Sequence, residues 1–159
     1  MPSLQAEVTG RFERPADANH FLYTPLEQPL TVRQSRRYTV AYTGDRDALV
    51  AFLTKVLADP VSHDLAISDD PVIPGAAFIL DYGMKGGALD LEKETILAHH
   101  RGDAHPSFHI DSLRIARRLY VFGEIEADHT ASCADRFVRD IVNPAIHTWQ
   151  VITPDAAAV

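Results

Sequence analysis

Several things are scarce in this sequence, and each scarcity removes a class of protein. Cys133 is the single cysteine in 159 residues. No disulfide can form within the chain, and a lone thiol fits a reducing compartment better than a disulfide-stapled scaffold. No run approaches the roughly 18 apolar residues of a membrane-spanning helix, so no membrane partner is expected. Met1 to Glu7 lack a basic stretch followed by an apolar run. A signal peptide is therefore not expected, and a soluble, cytoplasmic protein is. Basic charge is short as well: 15 Lys and Arg face 22 Asp and Glu, a net charge of −7. Such a chain is not built to hold phosphates non-specifically, because that affinity comes from Lys and Arg displacing counterions. Nucleic acid is accordingly not the expected partner. No internal repeat stands out, and no P-loop, zinc-finger spacing or His-Glu-x-x-His motif occurs.

What is present suits one folded domain. The chain is 46% hydrophobic, and a chain of roughly 150 residues buries most of its unfolded surface. Gln5 to Phe12 alternates like a short strand. Pro15, Pro25 and Pro29 then make residues 13–30 irregular. Residues 1–30 are thus expected to form an N-terminal arm packed on an α+β domain spanning 31–153, with 154–159 as a frayed tail.

Tyr38, Val40 and Tyr42 predict a strand ending at Gly44. Asp45 caps a helix whose apolar face is Leu49, Phe52, Leu53, Val56 and Leu57, stopped by Asp59-Pro60. Leu65–Ile67 and Ala76–Tyr82 read as strands. Gly83–Gly87 reads as a hairpin turn into a further strand over 88–98, although a helix there is the alternative. Leu119 to Glu126 alternates as a strand. Ser132 caps a second helix with Phe137, Val138, Ile141 and Val142 on its apolar face, and Trp149–Ile152 is a last strand. The expected fold is α+β: a mainly antiparallel sheet with two helices on one face, a ferredoxin-like arrangement with inserted strands being one form of it.

Two constellations carry chemistry. The first is His99 to Asp111, which holds four of the eight histidines. His100, His105 and His109, with Asp103 and Asp111, are candidate ligands for a divalent transition metal, because imidazole and carboxylate suit such ions. The second is a pair of arginine groups, Arg33, Arg36 and Arg37 and then Arg114, Arg117 and Arg118, a candidate anion-binding patch if their strands are neighbours. A weaker pairing is Cys133 with His129, since a thiol near a helix N-terminus is more readily ionised.

No catalytic signature is assembled in sequence. The expectation is a non-catalytic ligand- or protein-binding domain that forms a homo-oligomer. The alternative is a metal-dependent hydrolase using the His99–Asp111 segment. A third reading is a nucleic-acid-associated protein using the arginine groups.

Overall fold

The computed structural model describes residues 2–102 and 106–154. Its frame is β1 (Ser3–Gly10), the two-residue β2 (Ala16–Asp17), β3 (Thr31–Gly44), α1 (Arg46–Leu57), β4 (His63–Ile67), β5 (Phe78–Met84), α2 (Leu91–Arg101), β6 (Phe108–Phe122), α3 (Thr130–Ile141) and β7 (His147–Ile152). The sheet order is β4-β1-β3-β6-β5-β7, with β2 beside β3, and every pairing is antiparallel. The α+β expectation holds. Among the described residues no helix is long and apolar enough to cross a membrane.

Alternation sorts the sheet into two faces. Leu4, Ala6, Tyr38, Val40 and Leu113 point to one face and pack under α1 and α2. Val32, Leu80, Leu119 and Val121 continue that face and pack under α3. Among the described residues the α-helices on it number three, not two. The third is α2, where a strand over 88–98 was predicted. Asp90 starts it by accepting a hydrogen bond from the Lys93 N–H at 3.1 Å. Glu92 and Glu94 lie in the first turn and His99, His100 and Arg101 in the last, charges that suit the helix dipole. The alternating leucines misled because Leu89 and Leu91 are about 70% exposed (69% and 71%). Burial instead falls on Ile96 and His100, one turn apart. The Gly83–Gly87 segment therefore leads into a helix and not into a hairpin.

Two further expectations change. Ser3–Gly10 is not arm: it is an interior strand with β3 on one side and β4 on the other. Helix α3 begins at Thr130 after His129, with no side-chain cap, so Ser132 lies inside it.

The fold also contains the repeat that the sequence hides. Leu4 opposite Val40 and Thr9 opposite Ser35 have counterparts in Phe78 opposite Val121 and Gly83 opposite Ala116. Gly10 opposite His63 has its counterpart in Met84 opposite His147. Helices α1 and α3 both have 12 residues. Each half is thus a split β–α–β unit with one extra strand, and a pseudo-two-fold axis passes between Arg36 and Arg117, which face each other across β3 and β6.

The halves exchange their covers. Helix α2, from the second half, packs Ile96 into the core of the first. Ala18, Phe21, Leu22 and Leu30, from the first half, pack against α3 of the second.

Candidate functional site

The six arginines of the two groups lie on adjacent strands, but alternation divides them. Arg36 and Arg117 project from the helix-bearing face. Arg33, Arg37, Arg114 and Arg118 project from the opposite one. The single patch expected of all six is therefore split, and Arg118 is not available to an outside anion. Its side chain is 1% exposed and fully engaged. Nε and Nη2 bond Asp81 at 2.6 and 2.8 Å, and Nη1 bonds Glu7 at 2.7 Å. Ser35 donates to Glu7 at 2.8 Å, and the Tyr120 hydroxyl also donates to Glu7. Arg37 lies 3.6 Å from Asp81. Two cations thus balance two carboxylates. Although burial opposes its charge, Asp81 and then Glu7 hold the Arg118 guanidinium above its ordinary pKa. Burial, followed by Glu7, pushes the Tyr120 phenol up. The β4–β5 connection crosses over this network, and its Val72 N–H donates to the Tyr120 oxygen at 3.1 Å.

The helix-bearing face holds the open site. A cleft of about 720 Å³ lies between α1 and α2 with Arg36 and Arg117 in its lining. His63 and His99 stand at its sides, and Val56, Leu57 and Leu91 supply apolar wall. Glu92, from the first turn of α2, accepts from Arg36 at 2.8 Å and from the Tyr38 hydroxyl at 2.7 Å. Burial, then the bond to Glu92, raises the Tyr38 phenol well above its ordinary pKa. Partial burial works against the Arg36 charge, but Glu92 and Tyr38 outweigh it and raise its pKa. Glu13, the other carboxylate in the lining, accepts from the Gln34 N–H at 2.9 Å. Arg117 is exposed and has no ion-pair partner among the described residues.

Among the candidate metal ligands, the His100 and His109 rings lie 6.1 Å apart. Asp103 and His105 lie outside the described residues. His100 is a core residue: its ring stacks on Phe108 at 4.8 Å and meets Phe52 edge-on at 5.7 Å. His109 is exposed and lies 3.7 Å from Asp111. Among the described residues, the one group of three with ligand atoms close enough to share an ion is Glu126, Asp128 and His129, all exposed. Cys133 does not pair with His129. It packs in the core beside Phe137, and burial pushes its thiol up against the smaller opposing effect of Arg136. The His129 ring faces Glu126 at 3.7 Å.

Glu92 is absent from the candidates of the sequence because it falls in the segment 88–98 expected as a strand, whereas it stands in the first turn of α2. The duplication did have a sequence signal. Arg33–Arg37 and Arg114–Arg118 share Arg-x-x-Arg-Arg, and Asp59-Pro60-x-x-His63 matches Asn143-Pro144-x-x-His147. The second pair folds identically: the N–H of Asp59 and that of Asn143 each donate to the histidine Nδ1 four residues on, both at 3.0 Å.

Fold and cleft together define an internally duplicated α+β domain with an arginine-floored cleft at the junction of its halves. No protein-family model matches the chain, and no curated protein matches it.

Proposed function

We propose that this is a ligand-binding domain and not an enzyme, and that it takes a small organic anion in the cleft between α1 and α2. The observation that carries this is the pair Arg36 and Arg117, directly opposite each other on the central strands. Like charges in that position destabilise a sheet pair. Glu92 offsets one of them, which leaves the second guanidinium for a carboxylate or phosphate bridging both. The apolar walls suit the body of such a molecule, and the volume lies in the range of roughly 300–1,000 Å³ usual for small-ligand sites.

A thermal-shift panel of aromatic phosphates and carboxylates, each with a neutral analogue, tests the reading. A ligand at about 100 times its Kd should add about 2.7 kcal/mol of stability. The expected result is stabilisation by anions alone, lost in Arg117→Ala. Equal stabilisation by neutral analogues, or an Arg117→Ala response like that of the parent, contradicts it.

Self-association is part of the same proposal and rests on β7. This edge strand, His147–Ile152, carries no Lys, Arg, Asp or Glu, and its Trp149 and Val151 are 46% and 38% exposed. The other edge, β4, carries Asp64, tied to Arg11 at 2.9 Å. Uncharged exposed edges invite pairing, and an antiparallel pair of identical strands closes on a two-fold axis. Sedimentation should show a concentration-dependent dimer that Val151→Lys dissociates. A monomer at every concentration removes this part.

A further inference from the structure

The pseudo-two-fold leaves one inequality between the halves. In the first half, pairing of β3 with β1 ends at Ser35. The rest of that β3 edge is then covered: Ala16 and Asp17 pair with Val32 and Thr31, and the Glu13 carboxylate accepts from the Gln34 N–H at 2.9 Å. In the second half, pairing of β6 with β5 ends at the equivalent residue, Ala116. Strand β6 continues back to Phe108 with β3 on its other side. No strand among the described residues covers the remaining edge over Ser112–Ile115, which corresponds to Thr31–Gln34.

That edge opens into a cleft of about 530 Å³. Main-chain groups alternate sides along a strand. Val121 turns its carbonyl to the β5 side, where it accepts from Ala77 at 2.8 Å, so Leu113 and Ile115 face the same way. Gly83 borders the cleft, and a Cβ there would stand 2.4 Å from the Ile115 carbonyl oxygen. Lys85, Lys93 and Arg114 line it, and none of their charged ends is in an ion pair among the described residues. Arg37 adds a fourth cation and shares Asp81 with Arg118. Asp90 is the one further carboxylate of the lining, and it caps α2.

We infer that this slot takes an extended acidic peptide segment of a partner protein, which adds as a short antiparallel strand along Ser112–Ile115. The chain shows the mode in its own first half, where the segment Glu13–Asp17 does the same on β3 with a carboxylate on the strand N–H. The Ile115 N–H and both main-chain groups of Leu113 supply affinity, as in other strand additions. Lys85, Lys93 and Arg114 select acidic side chains. This slot is separate from the anion cleft, and neither reading depends on the other.

The test is a titration of the full ¹⁵N-labelled chain with two synthetic peptides of about eight residues, one alternating Val and Glu, the other Val and Lys. The acidic peptide is expected to bind and to slow hydrogen exchange at the Leu113 and Ile115 amides at least about ten-fold, and Arg114→Glu to weaken binding at least about ten-fold. Arg114 is exposed, and unchanged spectra elsewhere check that the variant folds. No protection by the acidic peptide, equal binding of the lysine peptide, or undiminished binding to Arg114→Glu overturns the inference. Protection by a single-stranded oligonucleotide instead of the peptide overturns it too and gives the slot to nucleic acid.

Discussion

Arg118 sits under the β4–β5 connection where water does not reach, and its stability consequence is one-sided. Removing the guanidinium leaves Glu7 and Asp81 buried without their main partner. Breaking such a pair costs about 3–5 kcal/mol, although the intact pair adds little over a well-packed apolar replacement. Arg118→Met is therefore expected to lower the unfolding free energy by about that amount in urea titrations. A loss under about 1 kcal/mol contradicts the network account. Neighbouring Arg117 lacks such partners, and its truncation should leave stability almost unchanged, within about 0.5 kcal/mol. The sequence pointed to one patch of six arginines, whereas adjacent arginines on a strand face opposite ways. It did not show that Arg114, Arg117 and Arg118 are in a strand at all, because Ser112 to Arg118 has no clean apolar alternation. That polar stretch is legible only once its partners, Asp81 and Glu7 on two other strands, are known.

At the scale of elements, the repeated turn after each helix makes the clearest case. The Asp59 carboxylate accepts from the Val61 N–H at 2.8 Å, and the Asn143 amide oxygen accepts from Ala145 at 3.0 Å. An amide oxygen does the same work as a carboxylate here. Asp59→Asn is accordingly expected to keep the melting temperature near neutral pH, and Asp59→Ala to lower it. The pH dependence has a definite sign. Chiefly through the Val61 N–H, the Asp59 carboxyl is held below its ordinary pKa. Its contribution is present above the unfolded carboxylate value and is lost as pH falls through the folded one. Asp59→Asn should lack that acid-limb loss at this turn. A melting temperature lowered equally by both substitutions contradicts the equivalence of the two turns. Helix α1 was legible because cap, apolar face and stop all agreed. Helix α2 was not, because its exposed leucines imitate a strand and its few buried residues, Ile96 and His100, make a thin helical signal.

For the whole molecule, duplication explains why the cleft lies where it does. The two arginines meet on the pseudo-two-fold axis because each is the same position of the same unit, and α2 walls one side because the halves exchange covers. The repeat was hidden in the sequence because the spacing between equivalent residues lengthens along the chain, from Glu7 and Asp81 to Arg37 and Arg118 to His63 and His147. Only short stretches, Arg-x-x-Arg-Arg and Pro-x-x-His, survive as identities. The mainly antiparallel sheet followed from local alternation, but its strand order did not. The cleft required tertiary placement of Glu92, which lies far in sequence from both arginines.

The most direct test of the anion-binding account is a side-chain NMR titration that follows every arginine Nε–H while phenyl phosphate is added. The account predicts that Arg36 and Arg117 shift together and saturably, that Arg118 stays fixed, and that Glu92→Gln, which frees Arg36, tightens binding several-fold. Shifts spread evenly over the exposed arginines, or saturable shifts that leave Arg36 and Arg117 untouched, would contradict it.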